Sequence, residues 1–476
     1  MKKAPHDPFL YTQIAESIES QIQNDVLKVG DKLPSLRTIC KEFGVSQSTA
    51  IQAYLQLEKK ALISSKPKSG YFVCFSVHKF PPLPHSSKPF ILGNNNDVDV
   101  LIQSVYNRVL GDDVVNLSQS IPSQEILPIA KLNKGIINAM RVIKGGGTEY
   151  DLIQGNESLR RQIARHAYAM QAKIKPDDII STAGCSNALL FSLISVTKRG
   201  DTIAVESPVF FGILQLAKSL GLTIIEVPTN PQTGIEMDAF KQLLKKGKIQ
   251  ACILISNFSN PIGSCMPDEN KKEVVTLAER YGVSIIEDDL YGDIYFGSER
   301  PKSCKTYDES GNVLWCSSIS KTLAPGYRVG WVAPGIYKEK ILQLKLNHSM
   351  SSTTLTHQVI AHFLESGRYE NHLMKLRQTL QANLFQYLKA IGKYFPPGTS
   401  VSRPQGGLVL WVEFPKNIST TELYKKALKN KINIAPGKMF TLKNQFENCM
   451  RLSYGLIWND KVEHALETLG RLSVLV

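Results

Sequence analysis

Apolar residues recur at helical spacing from Tyr11 through Ile14, Ile18 and Ile22, the period of an amphipathic helix. Gly30 ends the turn that follows. Pro34 and Ser35 open a second helix, with Ser35 placed as N-cap and Leu36, Ile39, Cys40 and Phe43 on its apolar stripe. Gly44 supplies a tight turn. Ser46 caps a third helix whose Ile51, Tyr54 and Leu55 face inward. Two strand-like runs, Leu62-Ile63-Ser64 and Tyr71-Phe72-Val73, flank a Ser65–Gly70 link with hairpin chemistry. Three helices and a hairpin predict an α+β winged helix-turn-helix over residues 1–77.

Residues 78–111 hold Pro81, Pro82 and Pro84, then Ser86 and Ser87, then Asn94, Asn95 and Asn96. They predict a linker, stiff where proline-rich and flexible elsewhere, with a short helix over Val98–Leu110. From residue 112 to 476, short apolar runs alternate with helical patterns. Strands are expected at 179–181, 202–205, 251–255, 284–286 and 313–315. That alternation predicts an α/β domain with a largely parallel sheet.

Composition narrows the class. At 476 residues the chain exceeds one core. A hydrophobic fraction of 43% and a charged fraction of 21% exclude a mostly disordered chain, a collagen and a disulfide scaffold. The net charge is +14, and residues 1–80 carry 11 basic against 7 acidic side chains, so positive charge is denser at the N-terminus. A polyanionic partner suits this balance, but the charge alone is a weak signal. No run of apolar residues is long enough for a membrane span, and no apolar stretch follows Lys2 and Lys3 as a signal peptide requires. Eight scattered cysteines form no CxxC, and nine histidines form no HExxH. The expectation is a cytoplasmic chain with core-filling thiols and no metal.

On the third helix, Ser46, Gln47, Ser48, Thr49 and Gln52 include the side chains that such a helix presents to base edges and phosphates in the major groove. Arg37 precedes them as a phosphate or guanine contact, and Lys66, Lys68 and Gly70 mark a wing tip for the minor groove. Gln47, Ser48 and Gln52 are each equally compatible with a solvated polar helix face. Tyr11 to Ala15, Gly30 to Arg37, Phe43 to Thr49, Tyr54 to Leu57 and Gly70 to Val73 together resemble the GntR-type winged helix. The resemblance implies a dimer reading operator half-sites. Gln47 stands where the family usually has a basic residue.

The strongest chemical motif runs from Ser317 to Arg328. Lys321 follows hydroxyl residues just past a strand, and Arg328 comes seven positions later. An amine for a Schiff base, with hydroxyls and a cation for a phosphate (Ser318, Ser320, Arg328), suits pyridoxal 5′-phosphate. Taken alone, a lysine in a serine-rich turn is an ordinary surface residue. Three further segments complement it. Asp288 and Tyr291 close the run from Ile285, suiting a pyridine-nitrogen partner and a ring-hydroxyl contact. Asn260, in the Asn257–Gly263 turn, suits the same ring oxygen. Thr182 to Leu189 joins a strand to a helix through Gly184, whose free N–H groups suit a phosphate.

These four segments resemble fold-type-I pyridoxal-phosphate aminotransferases over residues 112–476. The implied fold is a large, mostly parallel sheet domain with a small C-terminal α+β subdomain. The resemblance implies Lys321 as the aldimine lysine, Asp288 on the ring nitrogen, and Tyr291 and Asn260 on the ring oxygen. It puts Cys185, Ser186, Ser318 and Arg328 in the phosphate cup and Phe210 stacked on the ring. Tyr150 reaches the partner's phosphate, and Arg451 clasps an amino acid's carboxylate. Ile262, Phe210 and Cys185 replace residues commoner in that family.

A GntR-like unit fused to an aminotransferase-like domain resembles the MocR subgroup of bacterial regulators. The resemblance implies a domain-swapped homodimer that binds operator DNA and senses pyridoxal 5′-phosphate, or an amino compound, through the Lys321 aldimine. Such a sensor needs at most a half-reaction. An active aminotransferase working on an amino acid and a 2-oxo acid is the rival reading.

Overall fold

The computed structural model describes residues 10–24, 26–28, 30–60, 62–66, 69–73, 80–87, 97–106, 111, 113–168 and 170–476. Lys68 lies outside them, and of Lys66 only the strand position is described.

The N-terminal unit contains α1 (Leu10–Gln23), α2 (Leu36–Phe43), α3 (Gln47–Lys59) and a hairpin of β1 (Ile63–Lys66) with β2 (Gly70–Val73). Ile63 stands opposite Val73 and Lys66 opposite Gly70. Both expected caps form: Ser35 Oγ accepts from the Thr38 amide and Ser46 Oγ from the Thr49 amide, each at 3.2 Å. Gly44 turns the chain between α2 and α3 at φ 62°, a left-handed conformation that glycine adopts without a Cβ penalty.

The inward faces of α2 and α3 differ from the expected ones. Phe43 and Leu55 are each 42% exposed, whereas Ala50, Ala53, Tyr54 and Leu57 are buried with Ile14, Ile18 and Ile39. The true stripe follows the helical spacing of 50, 53, 54 and 57. Alanines at 50 and 53 let α1 and α2 approach closely, which turns Leu55 outward. Tyr54 is buried because its hydroxyl donates to Pro34 O at 2.6 Å, satisfying the polar end of a core residue.

Two linker segments dock on the C-terminal region. Residues 80–87 meet it through His85, whose amide donates to Glu413 Oε2 at 2.8 Å, and Ser87, whose Oγ donates to Ser207 O at 2.6 Å. Helix α4 (Asp97–Tyr106) buries Val98, Ile102 and Val105.

The chain continues through β3 (Val115–Asn116), α5 (Ile129–Val142), α6 (Glu157–Tyr168), β4 (Ile180–Thr182), α7 (Cys185–Val196), β5 (Thr202–Ser207), α8 (Phe211–Ser219), β6 (Thr223–Asn230), β7 (Gly234–Ile235) and α9 (Met237–Lys245). It then forms β8 (Ala251–Leu254), α10 (Asp268–Arg280), β9 (Ser284–Asp288), β10 (Val313–Ser318) and β11 (Gly330–Ala333). Among the described residues these strands build an eight-stranded sheet in the order β4-β11-β10-β9-β8-β5-β6-β7. Its five central strands, β10, β9, β8, β5 and β6, run parallel, while β11 is antiparallel to both neighbours and β7 to β6. All five strands expected from the sequence are present. Their near-continuous apolar runs reflect burial on both faces by the crossover helices.

Past β11 come α11 (Lys338–Ser349), α12 (Thr354–Glu365) and the long α13 (Arg368–Tyr394). The small C-terminal layer has β12 (Ser400–Val401), β13 (Val409–Glu413), α14 (Thr420–Lys429), β14 (Ile432–Asn433), β15 (Ala435–Pro436), β16 (Cys449–Ser453) and α15 (Asp460–Ser473). Its sheet runs β12-β13-β16-β15, and β14 pairs in parallel with β3. That pairing ties the start of the large domain to the small one. Among the described residues, no helix is long and apolar enough to cross a membrane.

Candidate functional site

The C-terminal ends of the parallel strands open into a cavity of about 210 Å³, where ligands of open α/β sheets bind. Lys321, three residues past β10, Asp288 at the end of β9, Tyr291, Asn260, Phe210, Cys185, Ser186, Ser318, Ser320, Arg328 and Arg451 all line it. Residues 185 to 451 in the sequence therefore meet at one place.

The acidic end is buried. Burial, against the thiol hydrogen bond of Cys185, raises Asp288 to about 6. The Cys185 Sγ donates to Asp288 Oδ1 at 3.3 Å, and burial pushes the thiol well above its ordinary range. Lys321 moves the other way: burial first, then the positive Arg451, lowers it to about 8, with Asp288 opposing. Tyr291 is raised to about 12 by burial. Its hydroxyl lies 3.0 Å from Ser120 Oγ and accepts from Asn260 Nδ2 at 3.2 Å.

The phosphate end is built from glycine and hydroxyls. Gly184, at φ 85°, precedes the first turn of α7; a Cβ there would stand 2.4 Å from Arg328 Nη2. Arg328 Nη2 instead donates to Ala183 O at 3.1 Å. The Ser320 amide donates to Ser318 Oγ at 3.2 Å, and the buried Ser320 Oγ has no protein partner. A buried orphan hydroxyl, an open helix N-terminus and a guanidinium converge, as a phosphate requires. With an amine, a carboxylate and a hydroxyl pair at the other end, the donor set fits pyridoxal 5′-phosphate.

Arg451 is fully buried. Its Nη1 donates to Asn260 Oδ1 at 2.8 Å, its Nη2 donates to Tyr106 Oη at 2.7 Å and to Ser118 O, and its guanidinium lies 5.0 Å over the Phe440 ring. Tyr150 is 80% exposed and is absent from the cavity lining of its own chain.

In the winged helix, Arg37, Gln47, Ser48 and Gly70 are exposed. The Ser46 hydroxyl is engaged within the cap, 2.8 Å from Ser48 Oγ and 2.9 Å from Thr49 Oγ1. Gln52, one helical turn on from Ser48, is exposed. It borders a cavity of about 390 Å³ shared with Gln378, Gln381 and Ala382 of α13.

Residues 10–73 match the family of bacterial regulatory proteins named gntR, and residues 112–469 match aminotransferase class I and II. The uncharacterized HTH-type transcriptional regulator YjiR of Escherichia coli (strain K12) is 36% identical over 471 residues, spanning 97% of this chain and 98% of its own. The chain belongs to the HTH-type transcriptional regulators that carry both domains. The regulator is also similar to NorG of Staphylococcus aureus, at 27% identity over 91% of this chain and 98% of that one. Its fold is similar to that of LysN, an α-aminoadipate aminotransferase from Thermus thermophilus complexed with N-(5′-phosphopyridoxyl)-L-leucine. That likeness has a TM-score of 0.73 at 25% identity, over 80% of this chain and 98% of LysN. A multiple substrate aminotransferase from Thermococcus profundus gives the same TM-score and identity over 81% and 96%. Pyridoxal 5′-phosphate is the cofactor that this fold and these donors take.

Sequence reasoning missed several residues of the regulator's site. Tyr106, Ser120 and Phe440 line or support the pocket from remote segments, and no local motif marks them. Exposed Lys32 stands beside the wing, its bridge to Phe72 placing Lys32 Cε 3.5 Å from where a Gly70 Cβ would be. Its signal was a lone lysine after a turn glycine.

Proposed function

We propose that the regulator binds pyridoxal 5′-phosphate through Lys321, and that an amino compound or the vitamer entering this pocket sets its grip on operator DNA. One observation carries the reading: a full cofactor donor set and a winged helix share one chain. Bound there, the cofactor supplies an aldehyde that links reversibly to amines and a ring that withdraws electrons.

The chain's own groups are suited to their tasks. Lys321, held near 8, is partly uncharged close to neutral pH, so its amine is available. Asp288 would face the ring nitrogen of the bound cofactor, Tyr291 and Asn260 its ring hydroxyl, and Phe210 its ring face. Ser318, Ser320, Arg328 and the amides of Cys185 and Ser186 would hold the phosphate, and Arg451 would hold a carboxylate. In the winged helix, Arg37, Gln47, Ser48, Thr49 and the wing at Gly70 contact DNA.

A homodimer is part of the proposal. Ile137, Met140 and Val142 on α5, with Tyr150 and Leu152 beyond it, are exposed, an apolar band suited to a second copy. From there Tyr150 reaches the partner's phosphate site. The swapped arrangement, each winged helix over the partner's large domain, competes with the contact between α3 and α13 within one chain.

An effector shifts an equilibrium only if it binds the two states unequally. Lys321→Ala is therefore expected to bind operator but to lose its response to added amino compounds, read by fluorescence anisotropy. A variant that responds like the wild type sinks the reading. The lowered Lys321 and the placed Arg451 also favour a second reading, an active aminotransferase. Steady-state turnover of about 1–1000 per second with an amino acid and a 2-oxo acid would establish it.

A further inference from the structure

A guanidinium has five N–H donors in a fixed fork. In Arg451, both N–H groups of Nη2 are committed, one to Tyr106 Oη and one to Ser118 O. Nη1 uses one of its two on Asn260. Nε is buried without a partner. A carboxylate held by two parallel N–H bonds takes either the end-on edge, Nη1 with Nη2, or the side-on edge, Nε with Nη2. Both edges include Nη2, so a forked carboxylate must displace one of its present partners.

The two partners differ in freedom. Ser118 O is a backbone atom, and the residue before it is paired on both sides: the Leu117 amide donates to Asn433 O, and the Ser453 amide to Leu117 O, each at 2.8 Å. Tyr106 contributes a side chain, and it is the last residue of α4, the helix that enters the large domain from the linker. Its hydroxyl also donates to Ser118 O at 3.1 Å, and its ring rests 4.9 Å from that of Phe211. Beyond the buried apolar face of Val98, Ile102 and Val105, the other polar ties of α4 are an exposed pair between Asp99 and Lys218 at 2.9 Å, Ser104 Oγ with Tyr424 Oη at 3.0 Å, and Asn433 Nδ2 donating to Val105 O at 3.2 Å.

We infer that the Tyr106 hydroxyl and an effector's carboxylate are alternative partners of Arg451, so that α4 reads whether the pocket is filled. Tyr106 is a positioning residue for Arg451 and competes with the effector. This rests on the proposed sensing function and adds to it which element first registers the effector. Residues 80–87 lie between α4 and the winged helix and keep their own anchors; the inference concerns α4.

The sign of the effect separates competition from support. A residue that merely shaped the pocket would weaken effector binding when removed. Removing a competitor strengthens it.

The test uses the full chain loaded with pyridoxal 5′-phosphate. The probes are the common L-α-amino acids, each paired with its decarboxylated amine. Absorbance of the bound cofactor reports entry of the amine, and hydrogen exchange at amides 97–106 reports α4. At least one amino acid is expected to change both signals, and its decarboxylated amine only the first. In Tyr106→Phe, α4 is expected to exchange faster without probe and to ignore the amino acid. Half-saturation by that amino acid falls about tenfold, or about 1.4 kcal/mol. Unchanged near-ultraviolet circular dichroism confirms the variant's fold.

If an amino acid shifts the absorbance while α4 exchange stays flat, or if Tyr106→Phe binds it no tighter, the inference fails and the sensing function stands. If no probe shifts the absorbance, sensing of these amino compounds fails and the inference falls with it.

Discussion

At the residue scale, the Cys185 thiol is the departure with the clearest physical effect. It donates to Asp288 in a site where burial already favours the neutral acid. Cys185→Ala removes a donor to the charged form, so Asp288 is expected to titrate about one pH unit higher, the worth of a modest hydrogen bond. Carboxyl-carbon NMR of the cofactor-free protein reads this; an unchanged or lower midpoint contradicts it. The residues legible in the sequence were those in short, local patterns. Ser318 ends a strand and Lys321 follows it in one turn, Asp288 and Tyr291 close another, and Asn260 sits in a proline turn. Tyr106 and Ser120 were not legible because their partners, Arg451 and Tyr291, stand 345 and 171 positions away. Only the folded chain brings them together.

At the element scale, a chain of charges fixes the segment that carries Tyr291. Arg300 joins Asp289 at 2.7 Å to Asp293 at 2.6 Å, and Asp293 meets His166 of α6 at 2.9 Å. His166 also faces Glu370 of α13 at 3.5 Å. Tyr369 of α13 donates to Thr322 Oγ1, next to Lys321, at 2.8 Å. Burial opposes a charge on His166, yet Asp293 beside it lifts the imidazole from 6.5 to about 9. A histidine raised in this way adds stability that is complete below 6.5 and lost as pH climbs through 9. The melting temperature should fall across that window, with a loss of at most about 3 kcal/mol. His166→Gln should flatten the profile; an equal slope in the variant would refute the assignment. Element types were well legible: the caps at Ser35 and Ser46 and all five strands followed from pattern. The inward face of α3 was not, because two alanines set the helix rotation, and small residues look neutral in a hydropathy pattern.

At the scale of the whole molecule, the winged helix has its own core of Ile14, Ile18, Ile39, Tyr54 and Leu57, separate from the cores on the two faces of the large sheet. Deleting residues 1–77 is therefore expected to abolish operator binding while the bound cofactor keeps its absorbance. A truncated chain that still recognised the operator would overturn the division of labour. For the intact regulator, log affinity for the operator should fall linearly with log salt, by about 0.9 for each phosphate contact.

A close backbone approach behind the first turn of α7 has a genetic consequence. A Cβ on Gly330 would lie 2.5 Å from the carbonyl carbon of Gly184, and one on Gly184 would strike Arg328. Gly330 is thus held by main chain crossing main chain, whereas Gly184, 146 positions away, is held by its own φ of 85° and by the Arg328 guanidinium. A random-mutagenesis library should leave a gap at Gly330 that no second-site change in a side chain can reopen.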